Sequence, residues 1–237
     1  MAATNLPAFL QESIKKVDYR KLGRSGLKVS VPILGAMSFG STSWAPWVIE
    51  EDKALPLLKA AYDKGLNTWD TANVYSNGIS EEIIAKAIEK YSIPREKLVI
   101  MTKCWAVVSE HDNVMAFGQN KVYARSKDYV NQLVFLARPP SVEPVTPRAE
   151  LYLKTNNLTE EDLEIIRRVE EISKKKGRKM SAIAMAWIKS RVTSPIIGFS
   201  SIERIDEALT AREVSLTEEE EKYLEEPYRP KKVVGHS

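Results

Sequence analysis

The chain has 237 residues, enough for one large domain or two small ones. Apolar residues make up 43% and charged residues 28%, and interspersed charges of both signs leave a net charge of +3. This composition is typical of a soluble globular protein and gives no support for a nucleic-acid partner. No apolar run is as long as a membrane span and no signal-peptide core is visible, so we expect no membrane partner.

The chain contains one cysteine, Cys104, which excludes an intramolecular disulfide bond. A lone cysteine fits a reducing compartment, and we therefore expect a cytoplasmic protein. No histidine or asparagine pattern lies beside Cys104 to make it a nucleophile, so we expect a packed residue at a strand end. The two histidines, His111 and His236, lie far apart in polar sequence and make no metal site.

The first half of the chain alternates between strand-like and helix-like patterns. We expect residues 1–16 to form a mobile or weakly helical lead, and residues 17–237 to form a single domain. The apolar spacing predicts, in chain order, a hairpin over 19–30, an apolar run over 31–35, a helix over 50–64, a strand over 66–72, a helix over 80–91 capped by Ser80, and a strand over 98–103. Strand, helix and strand joined by short links imply parallel pairing and a right-handed crossover.

The pattern weakens after Cys104 and returns near Thr159. Residues 105–150 contain no convincing amphipathic helix, and only a doubtful strand at 133–137 precedes a proline-rich loop. Beyond this region the sequence predicts a helix over 159–177 with a capping box, an apolar helix over 181–190, a strand over 194–200, a helix over 201–212 and a short helix opened by Thr217 and Glu220.

An acid, a phenol and an amine, Asp70, Tyr75 and Lys103, stand at or just after the ends of two predicted strands. A phenol with an ordinary pKa of about 10 is a poor proton donor at neutral pH. A nearby ammonium stabilises the phenolate, and a carboxylate keeps that ammonium charged and in place. This constellation is the one that a carbonyl reductase needs.

The stretches around these residues resemble the aldo-keto reductases, in particular fungal members of polyketide and mycotoxin pathways of secondary metabolism. The matching stretches are 19–40, 70–78, 81–90, 99–104, 194–209 and 218–225, and the resemblance covers roughly residues 17–130 and 136–237. It implies a (β/α)8 TIM-barrel fold with its site at the C-terminal ends of the strands. It also implies an oxidoreductase that uses NADP(H) to reduce an aldehyde or ketone, or to oxidise the alcohol, with a tyrosine as proton donor.

Carried over by position, the resemblance makes Tyr75 the proton donor, Lys103 the ammonium that activates it and Asp70 the partner of Lys103. The remaining matches are cofactor contacts: Gly35, Ala36 and Met37 under the nicotinamide, Ser200, Ser201 and Arg204 around the adenosine 2′-phosphate, and Glu207 at the adenine. A helix N-terminus with hydroxyls and an arginine is a ready anion site. The alternative for this segment is a capped helix with a surface arginine. Three tryptophans match the substrate mouth or are ordinary core or rim aromatics, and the sequence does not decide between these: Trp44, Trp47 and Trp105.

The chain departs from the family pattern in its middle. The position of the family's catalytic histidine falls near Leu136, where there is no histidine, and His111 is too close to Lys103 to replace it. The strands that carry a Ser-Asn pair, a glutamine and a stacking tyrosine at the nicotinamide are also missing. We expect a deletion near 132–136 of ~120 residues, because such barrels have ~250 residues or more.

A barrel that lacks about half of its strands has open edges. We therefore expect marginal stability, association of two copies through these edges into a composite barrel, or no stable fold. Three hypotheses follow. The chain is a shortened NADPH-linked reductase of a small carbonyl compound; or it is a catalytically inactive remnant that binds the cofactor or a partner chain; or the deletion arises from gene prediction or splicing.

Overall fold

The computed structural model describes residues 17–104, 108 and 159–230. The described residues form two compact units: the first holds 17–104, 108 and 192–209, and the second holds 159–191 and 210–230. The expectations for residues 1–16 and for a strand at 133–137 lie outside the described residues. The single domain over 17–237 stays a prediction.

The described strands and helices are as follows. The strands are β1 (Asp18–Lys21), β2 (Lys28–Val31), β3 (Ile33–Gly35), β4 (Thr68–Asp70), β5 (Val99–Met101) and β6 (Ile196–Gly198). The helices are α1 (Glu51–Asp63), α2 (Ile79–Lys90), α3 (Glu160–Lys176), α4 (Met180–Lys189), α5 (Ile202–Thr210) and α6 (Glu218–Glu225). None of these helices is both long enough and apolar enough to cross a membrane.

The first unit opens with the predicted hairpin, in which β1 and β2 pair antiparallel from Asp18 opposite Val31 to Lys21 opposite Lys28. The turn between them contains Gly23 and Gly26, both with positive φ. Glycine adopts this conformation without steric cost, which explains why the chain reverses here. The predicted hairpin is therefore confirmed.

A four-stranded parallel sheet with the order β5-β4-β3-β6 forms the centre of the first unit. The strands pair in register at their C-terminal ends, where Gly35 lies opposite both Asp70 and Gly198, and Asp70 lies opposite Met101. A Cβ atom on Gly35 would lie 3.0 Å from Cγ2 of Ile196, so glycine allows the close approach of β6. The in-register ends bring the segments that follow the four strands to one edge of the sheet.

Helices cover this sheet through a core of large apolar side chains. Leu34 and Trp69 from the strands, Leu58 from α1 and Ile83 from α2 are fully buried. The indole N–H of Trp69 donates a hydrogen bond of 2.8 Å to the carbonyl oxygen of Leu66. This satisfies the polar atom of a buried ring, which would otherwise be costly.

The second unit packs three helices, α3, α4 and α6. A capping box of Thr159 and Asp162 begins α3, and Gly177 ends it in the left-handed conformation. A second capping box, of Thr217 and Glu220, begins α6. Both caps are as predicted, since a side chain that accepts from the third helical N–H satisfies a donor that the helix cannot pair itself. The apolar contacts between the helices include Val169, Ile183 and Leu224.

The parallel sheet has two open edges within the described part of the chain, because nothing there pairs with the outer sides of β5 and β6. Unpaired N–H and C=O groups on a strand template pairing with another chain. We predict that two copies of the 26.8 kDa chain associate through these edges. Sedimentation equilibrium should give the mass of a dimer, and hydrogen exchange should show amide protection in β5 and β6 that rises with protein concentration. A strictly monomeric chain, or protection independent of concentration, would contradict this expectation.

Candidate active site

The centre of the candidate site is an ion pair between neighbouring strands. Asp70 ends β4, and Lys103 lies two residues beyond the end of β5. Nζ of Lys103 lies 2.6 Å from Oδ2 of Asp70 and donates a second hydrogen bond of 2.6 Å to the carbonyl oxygen of Thr71. The Asp70 side chain is 8% exposed and that of Lys103 is 32% exposed. The ammonium is thus held from two sides while one face of it stays open to the site.

Burial and the ion pair act on Asp70 in opposite directions. Burial is the larger influence and raises the pKa of Asp70, whereas the hydrogen bond and the positive charge of Lys103 lower it. A buried carboxylate is costly unless a partner compensates its charge. Lys103 is therefore the group that opposes the effect of burial on the pKa of Asp70.

Tyr75 lies beside this pair, as the sequence predicted. It opens a short 3₁₀ turn, Tyr75–Gly78, directly after the segment that follows β4. Nζ of Lys103 lies 5.0 Å from the centroid of the Tyr75 ring. The structure therefore brings together the acid, the amine and the phenol, with the amine between the other two.

Aromatic and apolar side chains enclose the Tyr75 ring on another side. The ring centroid of Trp44 lies 6.4 Å from that of Tyr75, and Trp47 contacts Trp44 edge-on at 5.9 Å. Met37 packs against the same cluster. Trp44 and Trp47 thus form an apolar wall next to the phenol, while Trp105 lies outside the described residues.

Backbone hydrogen bonds extend the pairing of β4 and β5 beyond the strand ends. The N–H of Thr71 donates to the carbonyl of Met101 at 2.8 Å, and the N–H of Asn73 donates to the carbonyl of Lys103 at 3.1 Å. These bonds fix the loop that leads to Tyr75 against the segment that carries Lys103. Because apolar periodicity ends at the strand ends, this role of Thr71 and Asn73 could not be predicted from the sequence.

The turn after β3 contains the residues predicted to lie under the nicotinamide: Gly35, Ala36 and Met37. Residues Ala36–Ser38 form a 3₁₀ turn, and Ala36 is fully buried. The hydroxyl of Ser80 donates a hydrogen bond of 2.8 Å to the carbonyl oxygen of Ala36. The prediction that Ser80 caps α2 is wrong. The helix begins at Ile79 after left-handed Gly78, and the Ser80 side chain bonds the Ala36 turn instead.

The residues predicted around the 2′-phosphate follow β6 and open α5. Oγ of Ser201 accepts a hydrogen bond of 3.4 Å from the N–H of Arg204, and the Ser200 side chain is exposed. The guanidinium of Arg204 lies 3.4 Å from Oε2 of Glu207. Ser201 is therefore a helix cap, as the alternative interpretation stated, and it also presents a hydroxyl at a helix N-terminus.

The donors at this helix N-terminus fit a phosphate group. A hydrogen bond from the Ser201 side chain lowers the pKa of Glu203, so a carboxylate at this position is already stabilised as an anion. The side chain of Arg204 is 44% exposed, and its contact with Glu207 is long for a charge-assisted hydrogen bond. The segment thus combines a hydroxyl, a guanidinium and a helix N-terminus, with the carboxylates of Glu203 and Glu207 beside them.

All predicted site residues belong to the first unit and follow the C-terminal ends of its four parallel strands. The structure does not bear out the expectation for Cys104, because this residue is exposed instead of packed. Among the described residues, no group of three or more histidine, cysteine, aspartate or glutamate side chains is arranged to hold a metal ion. The position near Leu136, where the sequence lacks the family's histidine, lies outside the described residues.

Comparison with known proteins agrees with this architecture. The model of the "Aldo/keto reductase family" matches residues 33–155 and 141–229. An aldo-keto reductase of Fusarium vanettenii is 35% identical in an alignment that covers 98% of this chain and 97% of that protein. The versiconal hemiacetal acetate reductase of Aspergillus parasiticus is 30% identical, with 92% and 98% covered. The chain therefore belongs to the aldo/keto reductase family.

The same comparisons show that the chain is a truncated member. The alignment with the Fusarium protein extends over 359 positions, although this chain has only 237 residues, so the relative contains positions that this chain lacks. The crystal structure of the thermostable aldo-keto reductase Tm1743 with the inhibitor epalrestat aligns with a TM-score of 0.57 at 22% identity. That alignment covers 89% of this chain and 100% of the other. The predicted fold, a truncated barrel of the (β/α)8 type, is confirmed.

We predict that Lys103→Met raises the pKa of Asp70 further above its ordinary value of 3.8, because both influences that oppose burial are lost. A matched control, Lys59→Met, breaks the exposed pair with Asp63 and leaves Asp70 untouched. Carbon-13 NMR titration of the aspartate carboxyl groups measures the difference. An Asp70 resonance that titrates at the same or a lower pH in Lys103→Met would contradict the role given to the ion pair.

The same substitution has a consequence for stability. A raised pKa means that the folded protein binds the proton more tightly than the unfolded chain does. The contribution of Asp70 is therefore fully present below its unfolded pKa and is lost as the pH rises through its folded pKa. Urea unfolding of Lys103→Met should show a steeper loss of stability from acidic to neutral pH than unfolding of Lys59→Met.

Proposed function

We propose that this chain is an NADP(H)-dependent oxidoreductase that reduces an aldehyde or ketone, or oxidises the corresponding alcohol. The observation that carries the proposal is the position of the Lys103 ammonium, 2.6 Å from Asp70 and 5.0 Å from the Tyr75 ring centroid. Membership of the aldo/keto reductase family supports the same chemistry. The proposal assigns catalytic roles to Tyr75, Lys103 and Asp70.

In the proposed reaction, Tyr75 donates the proton, and the ion pair of Asp70 and Lys103 stabilises the phenolate that this leaves. When bound, NADPH supplies the hydride. The hydroxyl of Tyr75 donates its proton to the carbonyl oxygen of the substrate, and the Lys103 ammonium stabilises the phenolate that is left. Asp70 holds the Lys103 ammonium in place through the 2.6 Å contact. Without the family's histidine, the orientation of the substrate depends on the walls of the site.

The proposed cofactor site extends along the C-terminal edge of the sheet. In this proposal, Gly35, Ala36 and Met37 would hold the nicotinamide end. Ser200, Ser201 and Arg204 would bind the 2′-phosphate, and Glu207 would contact the adenine. The order of the strands supports this arrangement, because β3 and β6 are neighbours and their C-terminal ends are level.

The walls of the site favour an apolar carbonyl compound. The ring centroid of Trp44 lies 6.4 Å from that of Tyr75, and the partly buried side chains of Trp47 and Met37 in the same cluster leave apolar surface beside the phenol ring. A flat apolar substrate removes the most water from such a wall. The similarity to a fungal reductase named for versiconal hemiacetal acetate supports a role in fungal secondary metabolism. The single cysteine supports a location in the reducing cytoplasm.

A second candidate is a catalytically inactive remnant that binds the cofactor or a partner chain. The alignment of 237 residues over 359 positions favours it, since the relative contains positions that this chain lacks, and the family resemblance implies that strands lining the cofactor are among them. The open edges of β5 and β6 supply a surface for a partner chain. The two candidates differ in one measurable property, which is turnover.

We predict that Tyr75→Phe abolishes carbonyl-dependent oxidation of NADPH, with kcat falling by roughly 10²- to 10⁴-fold as expected for loss of a general acid. Tyr228→Phe removes the hydroxyl of a tyrosine that is 60% exposed and serves as the control. The assay follows NADPH absorbance over a panel of aromatic and aliphatic aldehydes and ketones. A wild-type chain that binds NADPH but turns over none of them would favour the remnant, and equal activity of Tyr75→Phe and wild type would exclude Tyr75 as proton donor.

We predict that Arg204→Met weakens NADPH binding by about tenfold or more while NADH binding stays unchanged, since only NADPH carries the 2′-phosphate. Arg24→Met, in the turn of the hairpin, removes the same charge far from the site and is the matched control. Fluorescence titration or calorimetry gives the dissociation constants of NADPH and NADH for wild type and for each of the two variants. Equal losses for the two dinucleotides would place Arg204 outside the phosphate site.

A further inference from the structure

The backbone that follows Tyr75 adopts a rarely populated conformation. Ser76 and Asn77 have φ values of 49° and 55°, and Gly78 has a φ of 98°. Left-handed conformations are uncommon for residues other than glycine, and they persist only where surrounding contacts hold them. Contacts with neighbouring segments must therefore hold this backbone in its left-handed conformation.

The Ser76 side chain supplies one such contact. It is fully buried, and its Oγ accepts a hydrogen bond of 3.1 Å from the N–H of Ser41. Gly40 makes room for it, because a Cβ atom on Gly40 would lie 1.9 Å from Oγ and 2.3 Å from Cβ of Ser76. The fit thus requires glycine at one position and a small polar side chain at the other.

A second contact ties the same two segments together. The Ser80 hydroxyl donates to the carbonyl oxygen of Ala36 and lies 3.0 Å from the Thr71 hydroxyl. The segment 36–41 is itself closed by hydrogen bonds with Ile49, whose N–H donates to Ser38 and whose carbonyl accepts from Gly40. The loop that carries Tyr75 is therefore fastened to the turn that follows β3.

We propose that Ser76, seated against Gly40, is a positioning residue that sets the Tyr75 phenol at a fixed place relative to the Gly35–Met37 turn. This inference rests on the proposed function, in which that turn lies under the nicotinamide. Proton donation and hydride delivery act on the two ends of one carbonyl group, so the spacing between phenol and turn limits the rate. Ser76 touches none of the reacting atoms and acts through the backbone of its neighbour Tyr75.

The experiment compares Ser76→Gly and Ser76→Ala with Ser30→Ala. Glycine adopts the left-handed conformation without steric cost and removes the Ser76 Cβ and hydroxyl that fit against Gly40, so Ser76→Gly tests positioning even where Ser76→Ala folds poorly. Ser30 is a matched control: it is fully buried, its hydroxyl donates 2.9 Å to the carbonyl of Pro32, and it lies next to the opposite end of β4. Gly40→Ala is the converse change, because the added Cβ atom would overlap the Ser76 side chain and displace it.

Two readouts separate positioning from general stability. The first is the NMR resonance of ¹³Cζ-labelled Tyr75, assigned with Tyr75→Phe. The second is the kinetics of carbonyl reduction. We expect kcat to fall by about tenfold or more in Ser76→Gly and Gly40→Ala, with the dissociation constant of NADPH within about twofold of wild type. Ser30→Ala should lower the melting temperature and leave both readouts unchanged.

The outcomes distinguish this inference from the proposed function. If the wild-type chain shows no turnover, the proposed function is wrong. The Tyr75 resonance alone then tests whether Ser76 positions Tyr75. A resonance that moves in Ser76→Gly and not in Ser30→Ala supports the positioning contact in either case. A Tyr75 resonance and a kcat that are unchanged in Ser76→Gly would overturn it.

Discussion

The register of the parallel sheet is the constraint on which the rest of the site depends. Gly198, Gly35, Asp70 and Met101 stand level at the C-terminal ends of β6, β3, β4 and β5. Because side chains alternate between the faces of a strand, a shift of one residue in β4 would turn Asp70 to the other face of the sheet. The buried side chains of Leu34 and Trp69, adjacent in the pairing, fix this register.

The ion pair of Asp70 and Lys103 depends on this register, because the register brings the ends of β4 and β5 together. It joins the ends of β4 and β5, and the bonds from Thr71 and Asn73 to the β5 side continue the same connection toward Tyr75. A buried carboxylate loses its hydration, and the Lys103 ammonium compensates this loss. Removing either partner leaves the other uncompensated, so the pair serves both the fold and the proposed reaction.

The sequence predicted those features that depend on local pattern. Apolar runs that end in polar residues located β4 and β5, and serine or threonine followed by an acid three residues later located the capping boxes at Thr159 and Thr217. Around β3 the sequence predicted only an apolar run over 31–35, because this run continues from the end of β2 into Ile33–Gly35 and periodicity does not separate the two strands. Yet β3 is the strand that pairs with both β4 and β6.

Features that depend on contacts between distant segments could not be predicted in this way. The Ser80 hydroxyl has the position of a helix cap in sequence but bonds Ala36, which is 44 residues away. The approach of Ser76 to Gly40 likewise leaves no local signal, because it requires a gap that only the folded loop creates. Motif resemblance supplied the candidate cofactor residues, and the structure adds that they share one unit and lie at or beyond the same edge of the sheet.

We propose that the four-stranded part of the barrel retains a site for the cofactor and the proton donor. A calorimetric unfolding scan of the purified chain, with and without NADPH, tests it most directly, because a ligand that binds only the folded state raises its melting temperature. We expect a cooperative transition whose melting temperature rises with NADPH concentration and rises less with NADH. A transition that does not respond to either dinucleotide, or no cooperative transition, would contradict it.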